Sequence, residues 1–298
     1  MAHMVYSILT KTKMSKLKIA IQKSGRLNEE SLKLLKDCGI SIDNGIDQLR
    51  AEARNFPLEI YFLRNADIPQ YVYDGVVDCA IVGENLLVEN EMDLPIIQKL
   101  AFSKCRLSIA VPKSSSYYSL QDFEGKKIAT SYPNTVINFF KALNINIEIH
   151  EISGSVEIAP SIGLSDAIVD IVSSGNTLFK NNLQEFQTIL KSEAILVASP
   201  DNSSDIKLIL NKLKFRIESV LKARKSKYIL MNVPNDKIEA VSNILPVLKS
   251  PTVMPLSEKG WSSLHTVITE DQFWDIIDEL KIAGAEGILV LEIEKMIL

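Results

Sequence analysis

The stretch Asp166-Ala-Ile-Val-Asp-Ile-Val-Ser-Ser-Gly-Asn-Thr-Leu178 decides the fold of this chain. Ala167, Ile168, Ile171 and Val172 bracket Asp170 and read as a short buried strand. Ser173, Ser174, Gly175, Asn176 and Thr177 follow as a tight loop, in which Gly175 can take a positive φ and its polar neighbours can bond local backbone or cap a helix. A strand that feeds such a loop and a helix start aims several N–H groups at one spot, which is a cradle for phosphate. Asp170, just ahead of the loop, is placed to accept from sugar hydroxyls or to meet a phosphate-bound metal. Taken alone, the loop fits that cradle and an ordinary strand-to-helix turn equally.

Upstream, Leu17-Lys-Ile-Ala-Ile21 reads as a strand and Lys23-Ser-Gly-Arg26 as the loop leaving it. The helix that follows has Asn28 as its N-cap, Leu27 and Leu32 as a hydrophobic staple and Gly39 as its stop. Residues 58–63 and 76–82 are further strands, a helix covers 68–73, and Asp67, Glu84 and Asn85 fall at strand exits. Strand, glycine loop, helix is the opening of an α/β sheet, whose ligands sit beyond the carboxyl ends of the strands. Residues 106–112, 127–130 and the alternating 145–149 are strands of a second α/β lobe. Val136, Phe139, Phe140 and Leu143 give its helix an apolar face that reads as core.

Residues 205–224 form a long amphipathic helix. Beyond it come a strand at 228–231, a helix capped by Asn235, strands at 251–255 and 265–268, a helix capped by Thr269 and closed by Gly284, and a last strand at 287–293. That βαββαβ order is ferredoxin-like.

Gly154-Ser-Val-Glu-Ile-Ala-Pro160, leading through Gly163-Leu164 into the opening stretch, resembles the 5-phosphoribosyl-1-pyrophosphate (PRPP) segment of the ATP phosphoribosyltransferase family. The resemblance recurs in order at Gln22-Lys-Ser-Gly-Arg-Leu27, Asp67-Ile-Pro69, Asp74-Gly-Val-Val-Asp78, Gly83-Glu-Asn85, Cys105-Arg-Leu-Ser108, Ile128-Ala-Thr-Ser-Tyr-Pro133, Lys191-Ser-Glu-Ala194 and Ser226-Lys-Tyr-Ile229. It covers essentially everything from Lys18 onward. It implies an α/β chain with a two-lobed catalytic part similar to type II periplasmic binding proteins. Lobe I would take 17–107 and 188–224, with strands near 186–190 and 193–197 returning to it, and lobe II would take 108–187 with the PRPP loop. A ferredoxin-like, ACT-like regulatory domain would take 225–298.

The resemblance further implies condensation of ATP with PRPP to give N1-(5-phospho-β-D-ribosyl)-ATP and pyrophosphate, the first step of L-histidine biosynthesis. Mg²⁺ would accompany the pyrophosphate and L-histidine would inhibit. Lys23, Arg26 and Glu157 would act at the reaction centre, and Asp170, Ser173, Ser174, Gly175, Asn176 and Thr177 would bind PRPP, with Asp170 also meeting the metal. Gly25, Asp67, Glu84, Asn85 and Arg106 would bind ATP, and Asn232, Leu248, Ser250, Thr252 and Gly287 would hold histidine. A cytoplasmic homo-oligomer, a hexamer built from dimers, completes the expectation.

A net charge of −4 gives no long-range pull on nucleic acid or on an anionic membrane. A phosphorylated ligand must then be held by local amides, metal and a few placed cations. Cys38, Cys79 and Cys105 lack metal-ligand spacing and read as buried reduced thiols. His3, His150 and His265 form no Ser-His-Asp order and are read as non-catalytic. No apolar run approaches the roughly 20 residues that span a bilayer. Met1-Ala-His-Met4 reads as a tag remnant, which leaves Met1, Met4 and Met14 as candidate starts. The competing class is a two-lobed protein that binds or senses a small anion without catalysis, and no signal peptide favours it. A stand-alone ACT-type amino-acid sensor is weaker still, because Asp170 and the loop from Ser173 to Thr177 are intact.

Overall fold

Alternation along the opening strand shows why its run is almost wholly apolar. In the computed structural model, which describes residues 15–43, 49–246 and 250–297, Ala167 and Val169 pack into one cluster with Phe123, Val136 and Phe140. Ile168 and Val172 pack into another, on the opposite face, with Val156, Ala159 and Leu178. A strand covered on both faces needs apolar residues at every position. Asp170 shares the Ile168–Val172 face, so a carboxylate stands in a row that is otherwise buried. Ile171, expected in the core, is 38% exposed, because the strand is leaving its cover there.

The first lobe runs β1 (Leu17–Gln22), α1 (Arg26–Asp37), β2 (Arg50–Glu52), β3 (Leu58–Leu63), α2 (Ile68–Tyr73), β4 (Cys79–Gly83), α3 (Glu84–Glu89) and β5 (Ile96–Lys99). The second runs β6 (Cys105–Pro112), β7 (Lys127–Thr130), α4 (Pro133–Ala142), β8 (Glu148–Glu151), β9 (Ala167–Val172), α5 (Asn176–Lys180) and β10 (Leu183–Ser192). The chain then returns as β11 (Ala194–Ala198) and continues into α6 (Ser204–Arg224).

The sheet orders are β2-β3-β1-β4-β11-β5 and β10-β6-β9-β7-β8. Apart from the edge strand β2, the two have the same plan. Three parallel strands are followed by an antiparallel strand that has just crossed from the other lobe, β11 in one sheet and β6 in the other. The last strand made before the chain leaves, β5 or β10, closes the row. Two crossings and this shared order give the type II periplasmic-binding-protein-like architecture. The expected return of residues 186–190 to the first lobe is corrected here: β10 pairs along its whole length with β6, and only β11 returns.

Local signals were mostly right, with shifts that hydrogen bonds explain. Gly39 has φ 73°, and Ile40 N–H donates to Leu35 O, which closes α1 as expected. Asn28 is not the N-cap. The Gly25 carbonyl accepts from Glu29 N–H, so the helix starts earlier, and the Asn28 side chain donates back to Gln22 O at 2.6 Å. The strand expected at 76–82 starts only at Cys79, because the Val76 and Val77 amides both turn back to Tyr71 O.

The chain separates into two compact units, one of residues up to Lys36 with Ile40–Asn211, the other of Asp37–Gly39 with Lys212–Leu298. The second holds β12 (Ser226–Pro234), α7 (Ile238–Ile244), β13 (Thr252–Pro255), β14 (Trp261–Thr269), α8 (Glu270–Ile282) and β15 (Glu286–Glu292). Its sheet order β13-β14-β12-β15 is antiparallel throughout and ferredoxin-like. Thr269 caps α8 in a capping box with Gln272. Asn235 does not cap α7; it lies in a short 3₁₀ turn, and its Oδ1 accepts from Ser262 Oγ. No helix among the described residues is long and apolar enough to cross a membrane.

Candidate active site between the two lobes

Residues 173–175 leave β9 at its carboxyl end, and Gly175 caps α5 with φ 80°, as the sequence predicted. The loop, with Asp170, Glu157, Thr177 and Leu178, lines a cavity of about 210 Å³. Asn176 is not among the residues that line it. Glu157 arrives from a 3₁₀ turn at Val156–Ile158, whose Val156 packs with Ile168 and Val172 and so fixes its distance from Asp170. Burial pushes the Asp170 carboxyl up. The Ile171 amide, which donates to Oδ1 at 2.7 Å, opposes the shift, and the neighbouring Glu157 charge adds to it. Two acids facing one small space hold charge that a cation or a hydroxyl-rich ligand would relieve.

Two further cavities lie in the cleft and draw on both lobes. One of about 270 Å³ is lined by Gln22, Arg26, Asn65, Gly83 and Asn85 from the first lobe and by Cys105, Ile171 and Ser173 from the second. The other, of about 410 Å³, is lined by Glu84, Lys99, Lys104, Cys105, Arg106, Ser173, Lys191 and Glu193. Four cations against two carboxylates make that second space suited to an anion. Lys99, Lys104 and Lys191 had no assigned role in the sequence reading. Lys191 lies inside a quoted motif, whereas nothing in the local pattern of 99–104 marks a site.

Arg106 is held rather than free. Its Nε and Nη2 each meet a Glu185 carboxylate oxygen at 2.5 Å, and Nη1 donates to Ser173 O at 3.2 Å. That hydrogen-bonded pair, with Ser108 Oγ also donating, brings the Glu185 carboxyl down to about 2 although its partial burial works the other way. Glu84 opens α3 and pairs with Lys99 Nζ at 3.2 Å. Asn85 is buried and exchanges hydrogen bonds with Ser192, its N–H donating to Oγ at 3.0 Å and its Oδ1 accepting at 2.9 Å. This pairing also needs glycine at 83, where an added Cβ would stand 2.5 Å from Asn85 Oδ1. Lys23, Gly25 and Asp67 are exposed at strand exits of the first lobe and line none of these three cavities. Cys38 and Cys79 are buried as expected, but Cys105 is only partly covered, because it stands where the chain crosses into the second lobe at the cleft.

In the C-terminal unit, Asn232 on β12 and Gly287 on β15 are neighbours, with an added Cβ at 287 lying 3.3 Å from Asn232 Nδ2. Ser250 and Thr252 are exposed, and Thr252 opens β13 at the other edge of the same sheet. One copy of this unit therefore places Thr252 and Gly287 on opposite edge strands, with Asn232 on the interior strand beside Gly287. Leu248 lies outside the described residues.

The ATP phosphoribosyltransferase family model matches residues 64–219, and the model described as HisG, C-terminal domain, matches 223–295. The chain is 57% identical over 281 residues to an ATP phosphoribosyltransferase of Cytophaga hutchinsonii, covering 94% of this chain and 98% of that one. It is 53% identical over 282 residues to that of Phocaeicola vulgatus, covering 95% and 100%. Among solved structures it is similar to the ATP phosphoribosyl transferase (HisG:HisZ) complex from Thermotoga maritima, with a TM-score of 0.58 and 31% identity, covering 68% of this chain and 98% of that chain. Matches that run through the cleft lobes and on through the ferredoxin-like unit leave one conclusion: the chain belongs to the ATP phosphoribosyltransferase family, in the long form that carries the C-terminal domain.

Proposed function

We propose that the cleft joins N1 of ATP to C1 of PRPP, releases pyrophosphate, and is inhibited by L-histidine acting through the C-terminal unit. The observation that carries this reading is the pairing of a glycine-capped loop and two acids in one 210 Å³ cavity with a cation-lined space beside it. The amides around Ser174, Gly175 and Thr177 receive the 5′-phosphate of PRPP, and Asp170 and Glu157 face the ribose hydroxyls and the positive charge that grows at C1 as the anomeric bond breaks. Lys104 and Lys191 face the negative charge that grows on the leaving pyrophosphate, while Arg106, expected on the ATP side, is paired with Glu185 and supports the PRPP loop through Ser173 O. Lys23, Gly25, Arg26, Asp67, Glu84 and Asn85 supply the ATP side from the first lobe. The site's work is positioning and electrostatics, and no side chain needs to form a covalent intermediate.

Magnesium fits these donors. Asp170 and Glu157 offer hard oxygen ligands, and no group of three or more His, Cys, Asp or Glu suited to a metal occurs among the described residues. That combination suits an ion that binds through one or two carboxylates and substrate phosphates. When bound, it supplies neutralising charge at the pyrophosphate.

Separation of Thr252 and Gly287 on opposite edge strands supports an effector site shared by neighbouring copies. The edge strand β15 leaves Leu289, Val290 and Leu291 each 44–56% exposed, an apolar edge that pairing of copies would cover. Such an assembly, a hexamer built from dimers, responds to histidine only if its less active arrangement binds the effector more tightly.

The test is a steady-state assay with ATP, PRPP and Mg²⁺, with and without L-histidine. Equimolar pyrophosphate and phosphoribosyl-ATP are expected, with a rate that falls on adding histidine and is not restored by saturating PRPP. Binding of both substrates without pyrophosphate release would instead make this a small-anion binding protein.

A further inference from the structure

Glu89 closes α3 in the first lobe and is 8% exposed, yet no cation pairs with it among the described residues. It is answered instead by the start of a helix in the other lobe. Its Oε1 accepts from Asn134 N–H at 3.0 Å, and its Oε2 accepts from Thr135 N–H at 3.0 Å and Thr135 Oγ at 2.7 Å. Its backbone carbonyl accepts from Asn134 Nδ2 at 2.9 Å. The N-cap residue of α4, Tyr132, offers no side-chain cap, so the amides that a local residue would usually satisfy are satisfied across the lobe boundary. An anion at a helix N-terminus is favoured by the helix dipole, and burial strengthens charge-assisted bonds of this kind. Tyr132 packs against apolar clusters of both lobes, and Asn138 Nδ2 donates to Glu91 Oε1 at 2.9 Å beside it.

The other end of α3 is tied as well. Asn85 exchanges its two hydrogen bonds with Ser192, the last residue of β10 in the second sheet. A helix only 6 residues long is thus fastened to the second lobe at both ends, immediately after the Gly83-Glu84-Asn85 exit.

We infer that Glu89 is a positioning residue: its carboxylate, seated on the start of α4, sets the distance between the lobes at which ATP on the first meets PRPP on the second. This rests on the proposed function, because it assigns one substrate to each lobe. The residues assigned to ATP lie on the first lobe and those assigned to the phosphate and ribose of PRPP on the second, so loss of Glu89 should change binding of each substrate alone much less than reaction between them. Displacement of reacting atoms by about 1 Å can cost about a hundredfold in rate.

The experiment compares the full-length parent with Glu89→Gln and Thr135→Val. Turnover by the parent tests the proposed function, and the ratio of variant to parent tests this inference. Glu89→Gln keeps the shape but replaces one acceptor oxygen with a donor facing donors. It should lower kcat about 10- to 100-fold, while direct titration with ATP alone and with PRPP alone gives dissociation constants within about twofold of the parent. Thr135→Val removes only the hydroxyl bond and should lower kcat less, in the same direction. Glu89→Asp, which keeps the charge, should recover part of the loss. Parental kcat in Glu89→Gln would overturn the inference, as would equal losses in kcat and in the affinity for a single substrate. If Glu89→Gln does not fold, Thr135→Val decides: reduced kcat with parental single-substrate affinity supports the clamp, and parental kcat removes it.

Discussion

The exits of β1 and β9 are built on one backbone plan. Each ends in a Ser-Gly pair, with φ 87° at Gly25 and 80° at Gly175, and each glycine carbonyl accepts the first helical hydrogen bond, from Glu29 at 3.1 Å and Phe179 at 3.0 Å. Their side chains differ in kind. The β1 exit carries Lys23 and Arg26, both exposed. The β9 exit carries serines, and the charged groups nearest its cavity, Asp170 and Glu157, are acids. Backbone amides and a helix start attract an anion in both places. Among the described residues no cationic side chain lines the β9 cavity, and in the proposed reading the amides take the 5′-phosphate while the acids face the sugar. Beside a lysine and an arginine the same backbone suits polyphosphate directly. The fold supplies the same backbone device twice, and the proposed division of work between the substrates rests on the different side chains around it.

The largest expected effect tests that division. Gly175→Val should raise the KM for PRPP about a hundredfold, and Gly25→Val should raise the KM for ATP. At 175 an added Cβ meets nothing within 4 Å, so the cost comes from a φ that branched residues resist and from filling the cavity, not from a clash with protein. If steady-state kinetics show both variants acting on the same substrate, the two exits do not have separate roles.

Asp170→Asn should lower kcat/KM by about one to three powers of ten, on the scale of losing one or two charge-assisted hydrogen bonds. Its stability should move the other way. Burial raises the Asp170 pKa in the folded state, so the folded form holds more protons than the unfolded one in that window and stability falls as pH rises through it. At pH 7 the parent carries that penalty and the asparagine variant does not, so thermal unfolding should show a higher midpoint for the variant at pH 7 and a smaller gap at acid pH. Parental kinetics with either stability would make the carboxylate purely structural.

Lys23→Ala and Arg26→Ala should each raise the KM for ATP about tenfold and leave that for PRPP within about twofold. Because both cations are exposed, the difference from the parent should shrink in high salt. A salt-independent loss would mean that the side chains act by packing and not by charge.

Glu185→Gln should have the smallest effect. The Arg106 pair holds the Glu185 carboxyl at about 2, below its ordinary 4.5. A depressed carboxylate stabilises the fold above the unfolded pKa and loses that contribution as pH falls from about 4.5 to about 2. After discounting for solvent at a half-buried pair, the parent should exceed the variant by about 1 kcal/mol near neutrality, and the two should converge near pH 2. Denaturant unfolding at several pH values reads this directly. A constant gap across that range would show that the ion pair does not set the difference. Since Arg106 also donates to Ser173 O, a raised PRPP KM in the same variant would sharpen the contrast by showing that the β9 exit depends on this support.

Sequence alone determined what depends on a few neighbouring residues. Gly175 and Gly39 announced positive φ, Thr269 announced its helix, and the apolar run before Ser173 announced a covered strand, because backbone sterics and capping act within one turn of chain. The order of elements gave the α/β lobes and the βαββαβ unit, and the motif at Gly154–Leu178 carried the family. Tertiary structure decided what depends on a partner far along the chain. Whether β10 stays with β6 or returns to the first lobe is a choice of sheet edge, and its own period is the same in either place. The start of α1 at Arg26 shows the same limit at short range, since the Gly25 carbonyl competed with Asn28 for the role and won. Asp170 is half-buried because the turn carrying Glu157 packs beside its face, which no local pattern shows. Arg106 was committed to Glu185, 79 residues away, and Glu89 to α4, about 45 residues away. Desolvation and hydrogen-bond partnership are properties of what packs against a group, and no local pattern of charge or polarity contains them.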